Sequence, residues 1–334
     1  MKRRLRSLLL CLTLCLLLSG CHTPMVNPLV ESAATTVPGT DPVLPAARDD
    51  TLVQLHGDAT LYFRYMDEPF LAAETRTVTQ QPNQPYELAL VQELIAGPGT
   101  RSSELHSLFP SGARVLSSVR QGRTVFITLS GEIMNGYSDE PSAWQNDPAW
   151  QVELPLRRQL CMQSIVATIT ENCDVDQVQI LVEDGSILSG SMRLQKRYFQ
   201  QDPSDLTLVG PMTRDATLLL EPDTTLSVLM DCWSMQDWQR MYRYIAARDP
   251  QTREERPELR DFISMMESAH AMVDWSSYGG SVGPSGVVMT YAIDLVMRDA
   301  DGYEYEATGR ILRLYRDSDV WKVTMSQLTG WLEE

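Results

Sequence analysis

Cysteine and histidine are scarce in this 334-residue chain, with six of the first and four of the second. So few cysteines cannot staple a disulfide scaffold. Cations are outnumbered as well: Lys+Arg total 28 against 44 Asp+Glu, for a net charge of −16. A nucleic-acid surface needs clustered cations, so this balance excludes nucleic acid as a partner. No apolar run reaches the roughly 20 residues of a membrane-spanning helix. No glycine-rich phosphate loop, Gly-x-Ser-x-Gly or His-Glu-x-x-His pattern is present. Gly279–Gly283 is glycine-rich but follows an expected helix rather than opening one, which makes it a poor phosphate cradle. No solenoid-type repeat is visible. Hydrophobic residues at 43% and charged residues at 22% fit globular folding, and the length allows about two domains.

The first twenty residues read as an address. Lys2, Arg3, Arg4 and Arg6 precede an apolar run from Ser7 to Leu18, the charged and hydrophobic regions of a secretory signal. The run ends Leu18-Ser19-Gly20-Cys21. This tetrapeptide resembles the lipobox of bacterial lipoproteins. The resemblance implies cleavage between Gly20 and Cys21 and a lipid on the Cys21 sulfur, with localisation at the extracytoplasmic face of the cell membrane. A plain signal peptide with a chance cysteine is the alternative. Cleavage removes four basic and no acidic side chains and takes the net charge from −16 to −20. Such a surface repels anionic lipid and wall polymers unless a cationic patch or a divalent ion intervenes.

Residues 21–52 carry Pro24, Pro28, Pro38, Pro42 and Pro45 without periodicity and read as a semi-stiff tether. A second punctuated stretch, with Pro203, Gly210 and Pro211, sets a linker at 196–213 between domains at 53–195 and 214–334.

In the first domain, strands are expected at 60–66 and 71–79, then a helix over 86–96 that Gly97-Pro98-Gly99 stops. A hairpin follows around Gln121-Gly122, then a helix over 152–171 with Cys161, Met162, Ile165, Val166 and Ile169 inward, and a strand at 178–182. The order is β-β-α-β-β-α-β. The segments Glu93–Pro98, Leu108–Val115, Val125–Ser130, Gln163–Thr170 and Val175–Val182, in that order, resemble the GerMN domain of sporulation and germination lipoproteins. The resemblance covers roughly residues 55–190 and implies an envelope domain with no catalytic residues to carry over. One departure is an insert at Ser138–Trp150 with Trp144 and Trp150. These two indoles are partner-binding candidates if exposed; otherwise both pack on their own domain.

In the second domain a helix is expected from Thr225 to Ala247, capped by Thr224 or Thr225, and another from Pro257 that ends at Gly279-Gly280. Three strands follow: alternating Val287 to Met297, Tyr303 to Tyr315 with a bulge at Gly309, and Val320 to Met325. Helices followed by a long curved antiparallel hairpin and Val320-Trp321-Lys322-Val323 resemble the NTF2-like fold, which often leaves a pocket. The fold class is therefore α+β throughout.

Cys161 and Cys232 sit on apolar faces and read as buried structural thiols, with a Cys161–Cys173 disulfide as one option. His270 and Asp274 are four apart on the expected helix, where they could serve as an acid–base pair in a pocket. Asp299, Asp301, Glu304 and Glu306 suit a hairpin turn at Gly302 better than a calcium loop. No metal, cofactor or reaction is expected. The reading is a non-catalytic, lipid-anchored binding protein. Its partners would be the membrane through the anchor and an envelope protein or cell-wall component. The rival is a small-ligand carrier or enzyme using the C-terminal pocket.

Overall fold

Leu55–Tyr65 forms β1, and Leu71–Gln80 (β2) pairs with it antiparallel over its whole length. From Leu61 to Tyr65 every residue of β1 is buried, because both faces of the strand are covered. The computed structural model describes residues 55–100, 102–185, 190–199 and 204–332. Gly20, Cys21, the signal segment and the tether lie outside the described residues.

The helix expected at 86–96 is α1 (Tyr86–Ala96), and its chain turns at Gly97 with φ +95. A two-residue strand, β3 (Leu105–His106), adds to the other side of β1. The hairpin follows as β4 (Val115–Gln121) and β5 (Thr124–Leu129). Helix α2 (Pro148–Asn172) starts four residues earlier than its apolar periodicity suggests. Asp147 accepts a hydrogen bond from the Ala149 amide at 2.9 Å, and Pro148 takes the first helical position, a start set by capping rather than by hydrophobic pattern. Cys161, Met162, Ile165, Val166 and Ile169 are all fully buried, as their spacing predicts. Strands β6 (Gln177–Asp184) and β7 (Gly190–Arg193) complete a mixed sheet in the order β4-β5-β6-β7, with β5 and β6 parallel across the α2 crossover.

Helix α2 also closes one margin of β1. The Ser164 hydroxyl donates to the Tyr62 carbonyl at 2.6 Å, and Thr168 Oγ1 accepts from the Tyr62 amide at 3.1 Å. Asn172 accepts from the Thr60 amide and donates to its carbonyl, at 3.0 and 2.7 Å. Polar residues spaced by four thus satisfy the buried backbone groups that no strand reaches.

The segment expected as a linker is bonded to this first half. Met212 and Val178 exchange backbone hydrogen bonds, and the Val209 amide donates to the Leu194 carbonyl. Helix α3 (Pro222–Met235) then ends at Gln236, whose φ is +56, and α4 (Trp238–Tyr242) begins a new direction. The continuous helix expected over Thr225–Ala247 is therefore broken. Neither Thr224 nor Thr225 caps it; Pro222 opens it and Thr225 is buried. Leu226, Leu229, Met230, Trp233, Met241, Tyr244 and Ile245 are all buried along the two helices and the turn after them.

Helix α5 spans Leu259–Met266. Residues 271–282 are not the end of a helix but a strand, β8 (Ala271–Val282). It joins β9 (Val288–Arg298), β10 (Glu304–Asp317) and β11 (Val320–Val323) in an antiparallel sheet ordered β11-β10-β9-β8. The bulge expected at Gly309 is present: the register shifts between Ala307 and Arg310, and Gly309 has φ +68. The chain leaves the sheet at Thr324, and Met325–Leu332 forms α6 instead of extending the strand.

The described residues form one compact unit with a continuous hydrophobic core. Charged groups cross between the two halves. Glu68, 3% exposed, accepts from Arg240 at 2.8 Å and from Arg243 at 2.8 Å. The Tyr65 hydroxyl donates to the Arg243 carbonyl at 2.5 Å, and the rings of Tyr65 and Tyr244 lie 5.5 Å apart. Lys322, 2% exposed on β11, places its ammonium 2.7 and 2.5 Å from the two oxygens of Glu104. Leu219 and Leu71 form a parallel bridge. Among the described residues no helix is long and apolar enough to cross a membrane.

Candidate functional site

A cleft of about 890 Å³ opens where the β1–β2 turn, the segment after β3, the insert and the first turns of α2 meet. Trp150, one of the two sequence candidates, lines it and is half-buried. Trp144 sits nearby on a short 3-10 turn, Trp144–Asn146, also half-buried, and does not line the cleft.

A chain of alternating charges builds the wall. Arg64, 5% exposed at the end of β1, donates Nε to the Glu68 carbonyl at 2.9 Å and Nη2 to the Asp67 carbonyl at 2.8 Å. Its guanidinium also pairs with Glu153 on α2. Glu153 in turn accepts from Arg157 Nε at 3.0 Å, one helical turn on. Arg157 Nη1 reaches both oxygens of Asp139 in the insert, at 2.8 and 3.0 Å. The Arg157 guanidinium lies 4.8 Å from the Tyr137 ring centroid and 5.2 Å from that of Trp150. Two aromatic faces and two carboxylates therefore hold one cation, a cation–π arrangement strengthened by partial desolvation.

The protonation states follow from these neighbours. Burial pushes the Glu153 carboxyl up, but Arg64 and Arg157 outweigh it and hold it below the usual carboxylate range. Asp139 is held low by its hydrogen bonds from Arg157. Burial would lower Arg157, but Asp139 and Glu153 more than reverse that. Burial pushes the Tyr137 phenol up, and its hydroxyl has no hydrogen-bond partner among the described residues. The cleft thus offers aromatic faces and ion pairs already satisfied internally. Such a wall suits recognition of a polar surface by stacking and hydrogen bonding.

The second sequence site is not assembled. With 271–282 in a strand, a spacing of four separates His270 from Asp274 by about 13 Å along the chain rather than placing them on one helical face. His270 is exposed, and its Nδ1 bonds the Tyr305 hydroxyl at 2.8 Å. Asp274 is exposed, accepts from the Trp275 amide at 2.9 Å, and lines a separate recess of about 220 Å³ with Asp294 and Glu306. Cys161, Cys173 and Cys232 are free. Cys161 and Cys173 are twelve residues apart along α2, about 18 Å of helix, beyond the reach of a disulfide. Burial pushes the Cys161 thiol up, Cys173 up to about 11 and Cys232 up to about 12, so all three are protonated at neutral pH.

Sequence reasoning missed Arg64, Tyr137, Asp139, Glu153 and Arg157. The i,i+4 pair Glu153 and Arg157 beside Trp150 was the available signal; Arg64 left none, because its partner Glu153 lies 89 residues away in sequence.

A crystal structure at 2.5 Å of a candidate lipoprotein from Clostridium perfringens is 18% identical, with 50% of this chain and 91% of that chain covered and a TM-score of 0.27. The tandem GerMN domains of the sporulation protein GerM from Bacillus subtilis are 17% identical, covering 52% of this chain and 50% of that one, with a TM-score of 0.30. The first GerMN domain of the same protein is 16% identical, covering 47% and 98%, also with a TM-score of 0.30. No curated protein matches the chain. Residues 60–187, which include every member of the Arg64–Glu153–Arg157–Asp139 ladder, match the Germane family, described as sporulation and spore germination.

Proposed function

We propose that this is an exported, lipid-anchored envelope protein that acts by binding rather than by catalysis, in a sporulation or germination setting. The observation that carries the reading is the Tyr137–Arg157–Trp150 wall of the Trp150 cleft, inside the segment that matches the sporulation and germination family. The lipobox-like Leu18–Cys21 supports anchoring through Cys21, after loss of residues 1–20. The proline-rich tether then sets reach, and confinement near the membrane raises the effective concentration of the folded part for a partner. The partner is an envelope protein or a cell-wall component that stacks on the aromatic faces. The C-terminal half, with helices followed by a curved four-stranded antiparallel sheet, is read as an NTF2-like module, ion-paired to the first half through Glu68 and Lys322.

Two experiments test this. In cell fractionation, Cys21→Ser releases the protein from membranes; an unchanged membrane fraction refutes the anchor. A photo-crosslinking residue placed at Trp150 in cells gives a discrete adduct that Arg157→Gln in the same chain abolishes. Adducts of equal yield from exposed Val152, 65% exposed on the adjoining turn, refute the cleft as the binding site.

A further inference from the structure

Helix α2 carries two successive arginines, and successive helical residues point about 100° apart. Arg157 faces the cleft described above. Arg158 faces a second groove, about 370 Å³, with Arg193 from β7, Arg197 from the 3-10 turn Lys196–Tyr198, and Met134, Met192 and Tyr198 among its walls. Among the described residues no carboxylate lines this groove. That is unusual for this chain, which carries 44 acidic residues against 28 basic ones. Arg64, Arg76, Arg114, Arg123, Arg157, Arg214, Arg240 and Arg243 each pair with a carboxylate. Arg193 and Arg197 are exposed and have no ion pair among the described residues.

The groove is also built rather than incidental. The Arg158 guanidinium lies 4.6 Å from the Tyr198 ring centroid, and its Nη1 donates to the Tyr198 carbonyl at 3.1 Å. Its Nε is buried without a partner among the described residues. The Tyr198 hydroxyl donates to the Ile133 carbonyl at 3.0 Å, which fixes the turn that presents Arg197. Met134 and Met192, 41% and 46% exposed, supply adaptable apolar walls.

We propose that this groove binds a phosphate ester: an anionic phosphate held by Arg158, Arg193 and Arg197, with its organic group against the methionines. Planar guanidiniums present paired donors that match a phosphate, and three arginines converge here with no carboxylate among the described lining residues. The volume accommodates a phosphate and a small alcohol. A nucleic-acid duplex is too large, and its charge is opposed by the rest of the surface. The site is independent of the Trp150 cleft, and neither reading requires the other.

The test is calorimetric titration of the detergent-solubilised full chain with glycerol 3-phosphate, with glycerol as the uncharged control. A soluble glycerol-phosphate polymer and anionic vesicles serve as further arms. Saturable one-to-one binding of the monomer is expected, with no response to glycerol. Arg193→Gln/Arg197→Gln weakens it by at least about tenfold, the scale of charge-assisted hydrogen bonds. Both side chains are exposed, so the variant keeps its fold, which thermal unfolding verifies. Arg248→Gln/Arg298→Gln, with the same charge change at other exposed sites, leaves binding intact. Tighter binding of the polymer supports the site and identifies a polymeric source; equal binding per phosphate supports it with a free ester. Absence of monomer binding, equal loss in the control variant, or response to vesicles alone overturns the proposal.

Discussion

Removing one partner of the Lys322–Glu104 pair gives an asymmetric result. Lys322 is 2% exposed and Glu104 is 21% exposed, and Glu104 faces a crevice of about 140 Å³ lined by Ser102 and Ser318. Glu104→Gln strands an ammonium that almost no solvent reaches, so its cost lies at the level of a broken buried pair, about 3–4 kcal/mol. Lys322→Met leaves a carboxylate that water solvates from the crevice side, and the methionine packs where the lysine stem lay. That variant costs about 1–2 kcal/mol, the penalty of an incompletely paired acceptor. The double variant removes both charges and returns to within about 1 kcal/mol of the parent, as apolar replacement of a buried pair does. Thermal unfolding of the four proteins reads these values at about 2–3 °C per kcal/mol for a unit of this size. Glu104→Gln therefore unfolds about 6–12 °C lower by that conversion, and the double variant recovers most of the loss. Equal losses from the two single variants, or a double variant no better than Glu104→Gln, refute the reasoning.

Three further outcomes follow from the same structure. Thr168→Val removes the acceptor of the buried Tyr62 amide and lowers stability by about 1–3 kcal/mol in denaturant unfolding, whereas Thr170→Val at the less buried end of α2 costs less than half as much. Glu153 and Asp139 have depressed pKa values, so the stability they contribute is present above the ordinary carboxylate range near pH 4 and is lost as pH falls through their lower folded values. The destabilisation by Arg157→Gln, about 1 kcal/mol for a partly exposed network, is accordingly full at pH 6 and shrinks below pH 4; an equal penalty at pH 3 contradicts the ion-pair assignment. Gly309→Ala meets open space but a φ of +68, and costs about 1–2 kcal/mol in thermal unfolding through backbone strain alone.

Much of the fold is legible in the sequence, and the exceptions have physical causes. Periodicity marks α1 and the buried face of α2, because each puts apolar residues on a single side, and the Gln121-Gly122 turn marks the β4–β5 hairpin. Gly309 marks its own bulge. Strand β8 is invisible to the same reasoning. It is a sheet edge whose residues beyond Trp275 are exposed on both faces, so no alternation is imposed on it. Its glycines read as breakers, yet Gly280 is there because a Cβ would sit 2.9 Å from the Tyr291 ring. The break at Gln236 is equally silent: Trp233 and Trp238 pack edge to face at 6.5 Å across it, and apolar spacing cannot distinguish two short helices from one long one. Of the cleft, Trp150 alone was legible. The residues that organise it are charged, and sequence does not reveal which charges meet from segments 89 residues apart, as Arg64 and Glu153 do.

The polar ladder of Ser164, Thr168 and Asn172 has a meaning beyond its local bonds. A strand margin ordinarily invites any extended polypeptide to zip onto it. Here the chain's own helix has already fastened that seam with side chains, so nothing from a crowded neighbourhood finds a place there. The three residues act as a guard against misassembly, and their loss is expected to show as sticking between molecules as well as a lower melting point.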